Sequence, residues 1–512
     1  MTARIPPVLR PEHPSARSLA GLAADFGLDH RGALEGIDIT GITLRTTEVQ
    51  PGDLFVGIHG AHQHGASFAE KAKERGAVAL LTDEEGAQLA ADSGLPMVIV
   101  DSPRGALGAV SAWVYQTAEH PPLLLGVTGT NGKTSTVYLL EAILKQLGLV
   151  TGLSSTAERH IGDVNVVSRL TTPEASEMHA LLARMRESQV RAAAIEVSAQ
   201  ALSSNRIDGL LFDVVAFTNL SHDHLDDYAT LEDYFSAKLQ FFEPEHGRRG
   251  VVSLDSVWGQ RVVDGSRIPV TTISTTPGIV GEWNVEILDE HAAYTQFRLT
   301  GPEGKALTTK VPLIGWHMAA NAALSIVMLV EAGFELEAIG HALRDGIVAY
   351  LPGRTERVSG DTGPSVYVDF GHSPDAFLNT LAAVRKFTPG NVIMVFGADG
   401  DRDATKRHEM GRVASEGSDI LVITDHHPRF EDSQSIRSTL IEGARRAEHQ
   451  AQLHEVAQPE QAIRYAVSVA GAGDSILWAG PGHQDYRDIR GVRTPYSARQ
   501  EARDALREAG WV

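Results

Sequence analysis

Apolar positions in this chain fall into two rhythms, short unbroken runs and helical stripes, and their alternation predicts an α/β protein. The clearest stretch is residues 123–147. The run 123–127 (LLLGV) predicts a buried strand. Val137, Leu140, Ile143, Leu144 and Leu147 then recur at helical spacing, and Gly148 sits where a helix would stop. Short buried strands are predicted again at 192–197, 214–218, 366–369, 392–396, 420–424 and 476–478. Near the start, 49–60 reads as a turn into a strand, 68–81 as helix, glycine stop and strand, and 96–100 as another strand.

Two punctuating segments divide this pattern. QTAEHPP (116–122) carries paired prolines, and LPGRTERV (351–358) a Pro-Gly turn. They suggest three domains: a small N-terminal α/β domain over 1–119, a central domain over 120–350, and a C-terminal Rossmann-like domain over 351–512. The central sheet is expected to be mostly parallel and wound on both sides. Ligands of such sheets lie at the carboxyl ends of the strands, so polar residues there are site candidates.

At 512 residues, the chain is long enough for two to four domains. It is 43% hydrophobic and 21% charged, ordinary globular material, and no apolar run reaches membrane-spanning length. The formal charge of −20 argues against broad nucleic-acid binding. Zero cysteines exclude disulfides and thiolate metal sites. The N-terminal stretch shows no export signal, so a cytoplasmic protein, monomeric and free of the membrane, is expected.

Candidate chemistry centres on the turn Thr128-Gly129-Thr130-Asn131-Gly132-Lys133-Thr134 between the strand and the helix. Strand, glycine loop and helix is the setting of a phosphate-binding loop. Gly129 and Gly132 let backbone N–H groups converge on phosphate, and the helix start adds roughly half a positive charge. Lys133 would reach the outer phosphates and Thr134 would hold Mg²⁺. The strict pattern has glycine where this chain has Val127.

Further candidates follow strands. SHDHLDDY (221–228) offers imidazoles and carboxylates suited to a divalent metal, or to caps and solvated surface. Lys238 lies in YFSAKLQFF; a lysine there is expected to lead its ammonium to water, whereas a buried one would be driven neutral and nucleophilic. GADGDRDATKRHEM (397–410), with Arg402, Lys406 and Arg407, suits a phosphate or carboxylate, or equally a solvated charged loop. Arg429 in TDHHPRFED (424–432) could fork onto a carboxylate or be a surface arginine.

Taken together, TGTNGKT (128–134), EVSAQAL (196–202), FTNLSHDHLD (217–226), Lys238, PGRTE (352–356), VDFGHSPDA (368–376) and GDRDATKR (400–407) resemble the motif series of the Mur ligases, in order and over nearly the whole chain. PGDLFVGIHG (51–60) and LTTPEA (170–175) resemble the UDP-N-acetylmuramoyl-tripeptide synthetase branch. That branch adds a diamino acid to UDP-MurNAc-L-Ala-D-Glu, with ATP and Mg²⁺, in peptidoglycan precursor synthesis.

The resemblance implies roles. Gly129, Thr130, Asn131, Gly132, Lys133, Thr134 and Ser135 would hold ATP, with Asn321, Arg354, Asp369 and His372 framing the adenine nucleotide. Thr46 would lie near the uridine nucleotide, and Thr171, Thr172, Ser198, Ser204 and Arg206 would contact the muramoyl-dipeptide. Thr134, Glu196, His224 and Lys238, the last as a carbamate, would bind Mg²⁺. Lys133, Lys238 and His224 would be the catalytic set. Arg402, His427, Arg429, Gly480 and Gln484 would face the incoming amino acid.

Departures from the family pattern are informative. Its Asp-Ser-Arg reads Arg45-Thr46-Thr47 here, and its Asp-Gly-His reads His64-Gly65-Ala66. Diaminopimelate-selecting members usually show Asp-Asn-Pro-Arg and Gly-Lys-Gly-His-Glu. Here His427 stands for the asparagine and Gln484 for the glutamate. Losing that negative charge removes a charge-assisted bond of about 1.5–3 kcal/mol. L-lysine, L-ornithine or a similar diamino acid is therefore expected over meso-diaminopimelate, unless Asp485 supplies the charge. Competing readings are the meso-diaminopimelate ligase itself, folylpolyglutamate synthetase, a P-loop GTPase or kinase, and a non-catalytic nucleotide-binding protein.

Overall fold

The structure, a computed structural model, describes residues 8–60, 62–223 and 225–511. Among these residues three large sheets carry the fold. The first has five strands in the order Asp29–Arg31, Met97–Ile99, Ala79–Thr82, Asp53–Val56, Gly41–Thr43, parallel except at the first pair. The third has six, and its run Ser365–Asp369, Ser475–Ala479, Val392–Phe396, Ile420–Ile423, Gln452–Glu455 is parallel throughout.

The central sheet has eleven strands and positions the site. Its parallel middle runs Thr151–Ser154, Ala192–Glu196, Leu123–Thr128, Phe212–Phe217, Gly247–Ser253, Val270–Ser274, Trp283–His291. Antiparallel pairs extend both edges: Glu158–Ile161 with Val164–Val167 on one side, Tyr294–Thr300 with Ala306–Val311 on the other. These wings did not follow from the sequence reading. Ala306–Val311 alternates exposed and buried residues, as a strand wetted on one face does.

Parallel strands covered on both faces must be apolar on both. On one face Leu125 and Val127 pack beneath Leu140 and Ile143 of the Lys133–Gln146 helix and Ile326 of the Trp316–Glu331 helix. On the other face Phe212 and Phe217 meet Met178, Leu181, Phe241 and Phe242. Val127, the departure from the strict loop pattern, is thus a fully buried core residue.

Register decides what meets at the strand ends. Glu196 pairs with Val127, and Phe217 pairs with Thr128. The glycine turn therefore emerges between the strand end at 196–198 and the one at 218–221. Among the described residues no helix is long and apolar enough to cross a membrane.

One wing also holds a buried charge. His160 Nδ1 lies 2.9 Å from both carboxylate oxygens of Glu141, and Nε2 lies 3.1 Å from Glu158 Oε2. Burial opposes a charged ring, but the two carboxylates outweigh it and raise its pKa from 6.5 to about 9. A raised folded-state pKa gives stability that is full below about pH 6.5 and fades as pH climbs through about 9. Urea midpoints of the wild type should therefore fall between those values, and His160→Gln should flatten that slope.

Candidate active site

The glycine turn is shaped by close contacts that leave no space for a side chain. Gly129 has φ +147°, and a Cβ there would lie 1.9 Å from Thr218 Oγ1. Gly132 has φ +87°, and a Cβ there would lie 2.7 Å from Asn321 Oδ1. The neighbouring strand end pins the loop: Thr130 N donates to Asn219 O (2.8 Å), Asn131 N to Asn219 Oδ1 (2.9 Å), and Thr218 Oγ1 to Asn131 O (2.6 Å). Asn131 Nδ2 also donates to Asp375 Oδ2 at 3.0 Å, which ties the loop to the helix Pro374–Lys386. Lys133, first residue of the following helix, donates to Gly129 O (3.0 Å) and Thr130 O (2.8 Å). Burial lowers its pKa against the pull of Glu196 and Asp223.

Beneath the loop lies Lys238. The helix Leu231–Leu239 carries it, and at 1% exposure it is one of the most buried large side chains in the protein. Its Nζ donates to Gly129 O at 2.8 Å and sits 4.2 Å from the Tyr234 ring centroid. The sequence pattern favoured a surface ammonium; the structure places the amine inside, because Tyr234, Phe235 and Ala237 of the same helix are buried with it. Burial first, and the charge of Lys133 second, push its pKa well below the usual lysine range, which favours the uncharged amine.

Glu196 lies next to it at the strand end. Its Oε2 accepts from Thr134 Oγ1 (3.0 Å) and Thr156 N (2.8 Å), and its Oε1 from Thr156 Oγ1 (3.0 Å). Arg354 Nη2 donates to Thr134 Oγ1 at 2.9 Å while its guanidinium stacks 4.3 Å from the Phe370 centroid. Asp369 holds the turn behind Arg354 by accepting from Thr355 N at 2.7 Å. Thr134 and Glu196 thus offer hard oxygen donors side by side, the set Mg²⁺ takes. Thr171 and Thr172 extend this network: their hydroxyls meet Thr156 Oγ1 (3.0 Å) and Glu196 O (2.8 Å), and Ser198 N donates to Thr172 Oγ1 (3.1 Å).

The strand ends open into one cavity of about 1470 Å³. Its wall runs from Arg45 and Arg169, past the loop, to Gln484 and Arg493. At the far end His427 is buried and held at both nitrogens. Asp488 N donates to Nδ1 (3.1 Å), so the ring proton is on Nε2 and is donated to Gln484 Oε1 (2.8 Å). Burial, with help from His426, lowers the His427 pKa to about 3 and keeps the ring neutral.

Family models match three stretches: the Mur ligase family catalytic domain at 38–115, the Mur ligase middle domain at 127–329, and the Mur ligase glutamate ligase domain at 353–482. A UDP-N-acetylmuramyl-tripeptide synthetase of Leifsonia xyli is 61% identical over 514 residues, covering 100% of both chains. A UDP-N-acetylmuramoyl-L-alanyl-D-glutamate–2,6-diaminopimelate ligase of Streptomyces avermitilis is 40% identical over 99% of both. A solved ligase of the latter name superposes with a TM-score of 0.66 at 24% identity, over 97% of this chain and 100% of its own. The chain belongs to the Mur ligase family. It is an ATP-dependent ligase.

In this Mur ligase the cavity gathers most of the residues that the motifs pointed to. Thr130 to Ser135, Asn321, Arg354, Asp369 and His372 line it, as do Thr171, Thr172, Ser198, Arg206, Glu196, Arg402, Arg429, Gly480 and Gln484. Among the described residues, Thr46, Ser204 and His427 are off its wall. Thr46 O accepts from Arg75 at 3.0 Å, Ser204 closes the short helix Ala199–Ser203, and His427 lies behind Gln484 and Tyr486 of the wall. Gly129, within the loop, and Lys238, beneath it, are also off the wall. His224 lies outside the described residues.

Lys406 and Arg407 are corrected: they grip carboxylates of the protein itself. Lys406 Nζ meets Asp223 Oδ1 at 2.6 Å, and Arg407 meets Glu431 at 2.8 Å. His222 reaches Thr405 Oγ1 at 3.0 Å, so SHDHLDDY docks onto the GDRDATKR loop. His64 is likewise internal, bonded to Ala66 N and Asp83. Asn219 and Asp223 stand in the polar stretch after a strand that the sequence marks for site residues, although neither was given a role of its own. Asp399 and His426 lie in candidate loops after later strands, likewise without an assigned role.

Replacing Gly129 tests the loop. Gly129→Ala forces a left-handed conformation and a clash with Thr218, so urea unfolding should show a loss of about 1–3 kcal/mol. Equilibrium titration should show ATP affinity falling with it.

Proposed function

We propose that this ligase joins a diamino acid to the γ-carboxylate of D-Glu in UDP-MurNAc-L-Ala-D-Glu, using ATP and passing through an acyl phosphate. The observation that carries this reading is the buried amine of Lys238 against Gly129 O, under the loop whose Thr134 bonds Glu196. A scaffold that only held a nucleotide would have no use for that amine. The three spans 1–119, 120–350 and 351–512 take the uridine nucleotide, ATP and the amino acid in turn.

A neutral lysine amine can add CO₂, giving a carbamate and releasing one proton. The carbamate is a carboxylate, so the position changes from a repressed cation to an anionic oxygen donor. Thr134, Glu196 and carbamylated Lys238, with His224, are the residues that would hold Mg²⁺, which when bound supplies positive charge to the transferring phosphates.

Loop N–H groups and Lys133 then hold the triphosphate, and Asn321, Arg354, Asp369 and His372 frame the adenine nucleotide. Thr171, Thr172, Ser198 and Arg206 orient the dipeptide. One oxygen of the D-Glu γ-carboxylate attacks the γ-phosphorus, the bond to the β-phosphate oxygen breaks, and ADP leaves. This matters because oxide is a poor leaving group, whereas phosphate is a good one. The amine of the incoming residue attacks the acyl carbon, phosphate departs with the bonding pair, and the amine loses a proton.

For the third residue we favour L-lysine, L-ornithine or a similar diamino acid. Gln484 carries no charge, and its amide oxygen is already taken by His427.

ADP release should require both UDP-MurNAc-dipeptide and a diamino acid. Lys238→Ala should cut kcat by about a hundredfold or more, the scale of losing one electrostatic stabiliser. ADP release that is indifferent to the dipeptide, or a Lys238→Ala enzyme of full activity, rejects the proposal.

A further inference from the structure

The amino-acid end of the cavity contains an acid that the motif comparison did not assign. Asp399 follows the strand Val392–Phe396 and lines the cavity with His426 and Arg429, which follow the strand Ile420–Ile423. Asp399 Oδ1 lies 2.7 Å from His426 Nδ1, and Oδ2 accepts from Arg429 Nη2 at 3.1 Å. Arg429 Nη1 donates to Gly400 O at 3.2 Å. The cation that the sequence offered to a distal carboxylate is thus already neutralised by a carboxylate of the protein.

His426 is the group left with an open valence. Nδ1 faces the Asp399 carboxylate, so its hydrogen is donated there. Nε2 is buried and has no partner among the described residues. It faces Gly397 and Gly480, which also line the cavity: a Cβ on Gly480 would stand 3.7 Å from both Nε2 and Gly397 O.

Asp399, His426 and His427 are close enough to hold a cation. Both nitrogens of His427 are occupied, however, and Arg429 stands against Asp399, so the three are engaged with protein partners.

We propose that Asp399 sets amino-acid selection: it occupies Arg429 and presents its own negative charge, on the cavity wall, to the distal ammonium of a monocarboxylic diamino acid. A second carboxylate at that position would meet the charge of Asp399 and find Arg429 already paired. This inference rests on the ligase reading above and adds the residue that discriminates.

The test is a panel with the full-length enzyme: L-lysine, L-ornithine, L-norleucine and meso-diaminopimelate, read as kcat/KM for ADP release. The wild type should favour lysine or ornithine over meso-diaminopimelate by roughly tenfold or more, the worth of one charge-assisted bond. Norleucine, which has lysine's length without the amine, should fall similarly behind. Asp399→Asn should reduce the lysine-to-diaminopimelate ratio by about tenfold, through KM rather than kcat, and Asp399→Glu should restore part of it. A wild type that favours meso-diaminopimelate, or an Asp399→Asn enzyme that loses both substrates equally, overturns the assignment and leaves the ligase reading intact. A wild type that accepts none of the panel overturns both.

Discussion

A lysine amine under the phosphate loop is the constraint around which the site is arranged. Lys238 Nζ gives its hydrogen to a peptide carbonyl, Gly129 O, with an aromatic ring beneath it. Lys133 Nζ donates to that same carbonyl. Two ammonium groups sharing one acceptor in a buried pocket repel each other, and burial penalises both. The relief is for the deeper one to be uncharged. An uncharged amine beside Glu196 and Thr134 has chemistry open to it that an ammonium lacks.

The rest of the fold supplies that pocket. Parallel strands bring Glu196 level with Val127 and Phe217 level with Thr128, so the loop and its partners emerge at the same ends of the strands. The third sheet contributes Arg354, Asp369 and His372 from across the cavity. Asp223–Lys406 and Asn131–Asp375 join the central strand end to the C-terminal elements through polar contacts. Such contacts let go more readily than an apolar interface would, which suits a ligase that must admit three substrates and exclude water.

Much of this was legible in the sequence where local rules suffice. The strand Val392–Phe396 was read to the residue, and the loop was recognised from two glycines and its flanks. The antiparallel wings were missed because their strands, which mix polar and apolar residues, show no unbroken apolar run. Lys238 was first weighed by what lysines usually do. Its burial depends on how the helix packs, which residue order alone does not state. The Asp399–His426–Arg429 cluster joins loops after two different strands, so no spacing announces it. Thr46 and Ser204 were carried over by resemblance, and here they lie off the cavity wall.

The most direct measurement is ¹³C NMR of the full-length enzyme equilibrated with ¹³C-bicarbonate. A neutral Lys238 amine predicts one carbamate carbonyl signal, near stoichiometric with protein and absent from Lys238→Ala. No such signal at any bicarbonate concentration, or a signal that survives Lys238→Ala, would contradict the account.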